Sequence, residues 1–381
     1  MFALLSRAIA RRAPRPAAPS PTDRALARFP GARGASVRRL ARRSPRLADL
    51  ALSYPGLLAL LAAPGRRFDA ESAIALVERG ASLRFVAASV GAPMWARRLP
   101  PEAFAAADVS GLPDSPAFRR RIANALPASP WRADRWLRLI AEAARCGDDT
   151  FTVWVARKSQ ALTAKHDAAP VRLLALHAFF SSRADTEAGG LVESRWTPRA
   201  QAKAALEQAI AWRSSIDLHL HLADGVLAPR LDGGRILDLE LTPLVTAQDI
   251  SEEAAAMRNC LRGYGPDVRR GSEELWSLRR GGVRVATLSV GRPYRRPTVS
   301  LVEIKGPGNT EVAPEIWIAA ERWLASQADH ALVPPPVNWN CPVIAPARWR
   351  ALWRPYWLAL GRIPHWLPLQ PPIHGLDDLR R

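Results

Sequence analysis

Cys260 is the residue of this sequence best suited to act as a nucleophile. It stands in the segment MRNCLRGY between Arg258 and Arg262, and nearby guanidinium groups lower the pKa of a thiol and favour the reactive thiolate. A nucleophile also needs a base. The residue before the cysteine is Asn259, so the neighbouring sequence supplies no base. An enzyme centred on Cys260 is therefore the second hypothesis for this segment.

The first hypothesis gives the same cysteine a structural role. Met257, Cys260, Leu261 and Tyr264 are spaced at i, i+3, i+4 and i+7, which is the spacing of one helix face. A buried cysteine behaves as a small hydrophobic residue. We therefore expect Cys260 to be a core residue whose helix packs against a sheet.

A candidate metal site lies in the segment IDLHLHL. If this segment is a strand, Asp217, His219 and His221 lie on one face, and carboxylate and imidazole groups at that spacing can share a metal. A further ligand would have to come from elsewhere, for example from Asp224. The alternative is a solvated strand face, and we predict no metal and no cofactor.

Arginines crowd the segment between residues 269 and 296. Most fall at expected turns, so they would cluster at strand ends. Arginine beside an aromatic residue suits phosphate contact and base stacking, whereas the alternative is a solubilising rim. The candidate residues for binding DNA or RNA are Arg279, Arg280, Arg292, Tyr294, Arg295 and Arg296.

The net charge of +19 is concentrated at the N-terminus. Residues 1–50 hold twelve arginines, no lysine and two acidic residues. Residues 1–35, rich in proline, are predicted to be a flexible basic arm that attracts polyanions such as nucleic acid. Two alternatives remain, a solvated tail without a specific partner and an arginine-rich targeting segment.

The elements that must position these residues change in character near residue 213. Residues 36–213 show helical patterns interrupted by proline. After them, alternation on both sides of Gly233-Gly234 predicts a hairpin. Residues 246–265 are predicted to form a helix.

A meander follows that helix. Three strands are predicted at residues 274–279, 283–290 and 298–305, and their short loops force antiparallel neighbours. Pro314 then begins a helix that runs to about residue 326. The unit is therefore helix, three-stranded antiparallel meander, helix.

This unit resembles the PcfJ-like family, first named from a conjugative-plasmid protein. The resemblance covers residues 246–324 and implies a link to plasmids and other mobile elements, without an established activity. The family commonly has histidine where this chain has Asn259, and glutamine where it has Glu303. The matching residues are Met257, Cys260, Leu261, Tyr264, Gly271, Ser277, Leu278, Arg279, Thr287, Leu288, Gly306 and Asn309.

The tail, residues 331–381, is rich in tryptophan and proline. Trp349, Trp353 and Trp357 form a stripe at i, i+4 and i+8, which is typical of a helix packed on a core. A membrane-surface or partner helix is the alternative. No uninterrupted apolar run is long enough to span a membrane.

The sequence thus predicts an α+β protein with a mostly helical N-terminal region. Its expected parts are residues 1–35, 36–213, 214–330 and 331–381. Three dispersed cysteines without a CxxC pattern indicate a reducing compartment, the cytoplasm. The leading functional hypothesis is a binding or scaffold protein of mobile elements that associates electrostatically with nucleic acid. The alternative is an enzyme with a site at Cys260, Glu303 and Asn309.

Overall fold

The chain divides into two units, Met1–Ala144 and Arg145–Arg381. The structure is a computed structural model that describes residues 18–65, 68–105, 108–127, 129–162, 169–222, 227–292, 298–333, 344–372 and 376. Across these ranges, no helix combines the length and the apolar composition that crossing a membrane requires.

Capped helices of about two turns make up most of the first unit. Ser44, Ser82 and Ser115 each accept a hydrogen bond from the backbone N–H three residues later, which satisfies a donor that the first helical turn leaves unpaired. Two short 3₁₀ helices lie at Met94–Arg98 and Pro101–Phe104. The α-helices are α1 Pro21–Ala27, α2 Gly31–Ala41, α3 Pro45–Ser53, α4 Pro55–Leu61, α5 Ala70–Glu78, α6 Leu83–Ser89, α7 Pro116–Ile122 and α8 Pro130–Cys146.

The prediction of a flexible arm through residue 35 is wrong for the part that the structure describes. Ser20 and Asp23 form a capping box at the start of α1. Ala25, Phe29 and Val37 are buried, and α1 and α2 both pack on α3. Apolar residues three to four positions apart supply enough contact to fold this segment despite its arginines. Residues 1–17 lie outside the described residues.

The second unit begins with helices α9 Asp149–Leu162, α10 Ala169–Ser181, α11 Glu187–Gly190 and α12 Ala202–Leu222, and its tail forms α16 Pro346–Leu360. The tryptophan stripe of α16 is buried, as predicted: Trp349 and Trp353 are fully covered and Trp357 nearly so. The Trp349 Nε1 donates to the Pro368 carbonyl at 2.7 Å, and the Trp357 Nε1 donates to the Leu367 carbonyl at 3.1 Å. This packing matches the first interpretation of the stripe, a helix packed on a core.

The predicted strand IDLHLHL is instead the end of helix α12. The alternation misleads because Ile216, Leu218, Leu220 and Leu222 are all buried, and a helix that is covered on several sides need not show a single apolar face. The expected boundary between residues 213 and 214 falls inside this helix and is therefore also wrong.

A five-stranded antiparallel sheet forms the centre of the second unit. Its strands are β1 Gly234–Ile236, β2 Leu239–Pro243, β3 Glu273–Arg280, β4 Val283–Gly291 and β5 Ser300–Lys305, paired in chain order. The predicted pairing of β4 with both β3 and β5 is confirmed. The three-stranded meander is extended because the hairpin β1–β2 joins β3. That hairpin turns at Leu237, which adopts a φ of 55°, and not at Gly233-Gly234.

The two faces of the sheet differ in chemistry because side chains alternate along each strand. One face carries Trp276, Leu278, Leu288 and Ile304, which pack against Trp323 and its neighbours on helix α15 Pro314–Ala325. The opposite face meets helix α13 Ala247–Met257 and is polar. Its cross-strand row runs Ser277, Thr287, Lys305, and the next row places Ser289 beside Glu303.

Candidate functional site

A break in the helix before Cys260 places its thiol at the surface. Helix α13 ends at Met257, and Arg258 adopts a left-handed conformation with φ 51°. The chain then turns, and Cys260 precedes a 3₁₀ helix, Leu261–Tyr264, that leads into α14 Gly265–Arg270. Met257 is buried but Cys260 is exposed. The predictions of one helix over residues 246–265 and of a core cysteine are both wrong, since the backbone turn separates the two side chains.

Asn259 holds this turn against the sheet. Its Nδ2 donates to Thr287 Oγ1 at 3.2 Å, and its Oδ1 accepts from the Leu261 N–H at 3.2 Å. One side chain therefore ties the start of the 3₁₀ helix to strand β4. Asn259 therefore acts as a hydrogen-bonding anchor of the turn.

Residues far apart in sequence meet Cys260 in a small cleft with room of about 20 Å³. Asn309 follows the strand-ending turn with a positive φ of 60°, and its Nδ2 lies 4.0 Å from the cysteine Sγ. The Tyr264 hydroxyl donates to Glu303 Oε2 at 3.0 Å. The cleft is lined by Asn259, Cys260, Leu261, Tyr264, Thr287, Ser289, Glu303, Lys305 and Asn309.

The structure thus brings together the three residues of the alternative hypothesis, Cys260, Glu303 and Asn309. Tyr264 was assigned to an apolar face by its spacing, but its hydroxyl is a cleft donor. Ser289 was missed and Thr287 was named only for the family resemblance, although both alternate with apolar residues along β4. That alternation is the signal that could have identified a polar sheet face.

Burial sets the protonation behaviour of the acidic groups around the cleft. It raises the pKa of Tyr264, and the hydrogen bond to Glu303 adds to the effect, so the phenol remains a proton donor at neutral pH. Burial also raises the pKa of Glu273, with smaller contributions from Asp267 and Glu303, while a hydrogen bond from Ser289 opposes the shift.

An ion pair between a half-buried arginine and a buried carboxylate lies beside the cleft. Glu253 of α13 is fully buried and accepts from Arg284 Nε at 2.8 Å. It also accepts from Thr287 Oγ1 at 3.1 Å. Since Thr287 in turn contacts Asn259, the carboxylate joins helix, strand and turn in one network. Loss of the arginine would leave the buried Glu253 carboxylate unpaired, which is costly. The ion pair and the hydrogen bonds therefore stabilise the positions of helix, strand and turn together.

The three candidate metal ligands do not converge, although Asp217 Oδ1 lies 3.7 Å from His221 Nδ1. His219 pairs with Glu187 at 2.5 Å, whereas buried His221 contacts the Asp217 backbone carbonyl at 2.6 Å. Side chains two residues apart on a helix point in directions that differ by about 200°, so the two imidazoles contact different neighbours. Within the described ranges, no group of three or more His, Cys, Asp or Glu side chains could hold a metal ion.

The candidate nucleic-acid residues fall at opposite ends of the sheet. Arg279 and Arg280 lie at the β3–β4 turn, where Arg280 pairs with Asp238 at 2.6 Å. Arg292 follows the other end of β4. The predicted partners Tyr294, Arg295 and Arg296 lie outside the described residues. The arginines that the structure describes therefore form two groups and not one cluster.

Comparisons of this chain with protein-family models, with curated proteins and with solved structures find no match. The chemistry of the cleft is therefore inferred from the groups that line it. It offers a nucleophilic thiol, an amide donor, a phenol and a carboxylate on one polar surface.

Proposed function

We propose that this chain is a PcfJ-like protein of plasmids or other mobile elements, and that its cleft is the active site of a thiol-dependent enzyme. The observation that carries the proposal is the convergence of Cys260, Tyr264, Glu303 and Asn309, which span 49 positions of sequence, in one cleft. A purely structural junction between helix and sheet is normally apolar. This junction is instead polar, and its cysteine is exposed.

The reaction class that fits is acyl transfer. The Cys260 thiolate adds to the carbonyl carbon of an ester or thioester, a carbon–sulfur bond forms, and the bond to the leaving oxygen or sulfur breaks. Glu303 takes the thiol proton and passes it to the leaving group. Asn309 donates its amide N–H to the oxyanion. Water then hydrolyses the acyl-enzyme, which releases the acid and regenerates the thiol.

The Tyr264 hydroxyl positions the base of this mechanism. By donating to Glu303 Oε2 at 3.0 Å, it fixes one oxygen of the carboxylate in the cleft that Cys260 also lines. Thr287 and Asn259 fix the cysteine turn in the same way. A rigid set of neighbours is what keeps catalytic groups in productive geometry.

Acylation by p-nitrophenyl acetate and by a small thioester tests the proposal. We expect acetylation of Cys260, located by peptide mass mapping, and its loss in Cys260→Ala. Glu303→Gln should slow acylation about 10²-fold or more, because general acid–base catalysis contributes about 10²–10⁴-fold. The control, Glu321→Gln on the exposed side of α15, should leave the rate unchanged.

A merely exposed cysteine gives a different result. It would acylate equally fast in the wild type and in Glu303→Gln, and equally fast after unfolding in urea. Either outcome would refute catalysis at the cleft.

A second candidate function is electrostatic association with nucleic acid. The supporting observation is that Arg38, Arg39 and Arg42 project as exposed residues from the folded end of α2. In the part of the chain that the structure describes, these three form no ion pair. A fixed row of cations suits contact with phosphates, and binding through such contacts weakens as salt is added.

A further inference from the structure

A second cavity, with room of about 310 Å³, lies in the second unit and shares no lining residue with the Cys260 cleft. It is bounded by α10, by α16 and by the chain around the start of α9. Three alanines line it, and their side chains are too short to fill the space. They are Ala175 and Ala178 of α10 and Ala359 of α16. A volume of this size is within the range of small-molecule sites.

Aromatic rings form much of the cavity wall. The rings of Phe179 and Tyr356 lie edge to face with centroids 5.1 Å apart, and those of Phe151 and Trp196 lie 5.9 Å apart. The Tyr356 hydroxyl donates to the Cys146 carbonyl at 2.7 Å, which fixes its ring in place. Aromatic rings attract further rings in offset or edge-to-face arrangements. The wall therefore favours a ligand with an aromatic ring.

The lining also carries one cation, Arg183. Its Cζ lies 3.6 Å from the centroid of the Phe179 ring, and its Nη1 donates to the Phe179 carbonyl at 2.8 Å and to Ser182 Oγ at 2.9 Å. Among the described residues, Arg183 forms no ion pair, and its Nε and Nη2 have no hydrogen-bond partner. These donors can therefore bind the carboxylate of a ligand.

One carboxylate, Asp148, lines the same cavity. Its Oδ1 caps α9 by accepting from the Phe151 N–H at 2.8 Å. Within the described ranges, Asp148 forms no ion pair, and its Oδ2 accepts no hydrogen bond. Asp148 and Arg183 thus line one cavity without pairing with each other. Two separate opposite charges are complementary to a ligand that itself carries an ammonium group and a carboxylate.

We propose that this cavity binds a zwitterionic amino acid with an aromatic side chain. The ligand carboxylate accepts from Arg183, the ligand ammonium group donates to Asp148, and the ring lies on the aromatic wall. A ligand with a single charge would leave either Arg183 or Asp148 without a counterion. Binding there does not depend on the chemistry proposed for Cys260.

L-Phenylalanine is a suitable probe, because three analogues each lack one of its features. Phenethylamine lacks the carboxylate, 3-phenylpropionate lacks the ammonium group, and L-alanine lacks the ring. Calorimetry should show binding of L-phenylalanine and at least about tenfold weaker binding of each charge-deficient analogue, since one hydrogen bond to a charged group contributes about that much affinity. L-Alanine should bind more weakly still. No binding of L-phenylalanine, or equal binding of any analogue, would overturn the proposal.

Variants assign each charge to its partner in the ligand. Arg183→Gln and Asp148→Asn should each weaken L-phenylalanine binding by about tenfold or more, and asparagine still caps α9. Arg183→Gln should leave the affinity for phenethylamine unchanged, and Asp148→Asn should leave that for 3-phenylpropionate unchanged. The controls at exposed sites outside the cavity, Arg199→Gln and Asp149→Asn, should bind L-phenylalanine as the wild type does, and so should Cys260→Ala. Equal weakening in the exposed-site controls would show that the ligand binds elsewhere.

Discussion

His177 is a buried imidazole that couples the stability of the second unit to pH. It is 1% exposed, its ring lies 5.7 Å from that of Trp212, and Nδ1 has no hydrogen-bond partner among the described residues. Burial lowers its pKa to about 4, against a backbone hydrogen bond with Ser194 that acts in the opposite direction. The folded protein therefore disfavours the protonated imidazole, which forms readily in the unfolded chain.

The sign of the pH effect follows from that lowered pKa. Above pH 6.5, the usual pKa of the group, the imidazole is neutral in both states and the stability is fully present. As the pH falls from 6.5 towards 4, only the unfolded chain takes up the proton, so the free energy of unfolding drops by about 1.4 kcal/mol per pH unit. Urea unfolding at successive pH values should show this slope reduced in His177→Phe and unchanged in His330→Gln, a substitution at an exposed site. If the free energy of unfolding of His177→Phe changed with pH as steeply as that of the wild type, His177 would not be the source of the pH dependence.

Individual site residues were predictable from the sequence only where local pattern and chemistry agreed. Cys260, Glu303 and Asn309 were singled out as an alternative because their residue types suit catalysis. The spacing of Cys260 and Tyr264 nevertheless pointed to a core, because it assumed an unbroken helix. Nothing in the sequence required Arg258 to take a positive φ, a conformation that is uncommon outside glycine. The exposure of the thiol depends on that one backbone angle.

At the scale of elements, Arg258 is the residue that ends α13 and sets the direction of the Cys260 turn. Its left-handed conformation, φ 51°, costs a side-chain-bearing residue about 1 kcal/mol relative to glycine. Arg258→Gly should therefore raise the free energy of unfolding by up to about 1 kcal/mol. The matched control Arg269→Gly, inside helix α14, should lower it by about 1 kcal/mol. Urea unfolding measures both, and a loss of stability in Arg258→Gly would show that the side chain makes a contact worth more than the strain.

Secondary structure was predictable where turn chemistry and capping residues mark both ends of an element. The glycine pair after β3 and the proline at the start of α15 correctly bounded their neighbours. The IDLHLHL segment failed because a period-two pattern can also arise at the buried end of a helix. The sequence predicts a three-stranded meander and not the observed five-stranded sheet, since β1 has only three residues, too few for a clear alternation. These errors come from tertiary burial, which local patterns do not record.

At the scale of the whole molecule, the positive charge is carried by folded helices as well as by the N-terminal residues. Arg28 and Arg43 of the first unit are paired with Glu102 and Glu71, at 2.7 and 2.9 Å, and such pairs reduce the charge available to a polyanion. The amino-acid composition counts every arginine as one positive charge, whether or not a carboxylate pairs with it. The structure separates paired arginines from exposed ones, which the sequence could not do because the carboxylate partners come from distant helices.

Removing residues 1–35 would delete α1 and cut through α2, so substitutions in the folded chain are the better test of polyanion binding. Arg38, Arg39 and Arg42 are exposed on one stretch of α2, and each duplex phosphate contact contributes about 0.9 to the slope of log affinity against log salt. The triple variant with glutamine at these positions should therefore reduce the slope by up to about 2.7. Replacing the paired Arg28 and Arg43 should change it less per residue, because carboxylates already hold them. Fluorescence anisotropy with a DNA duplex and with RNA across a salt series measures each slope. An unchanged slope in the triple variant, or sequence-specific binding that salt does not weaken, would place the recognition surface elsewhere.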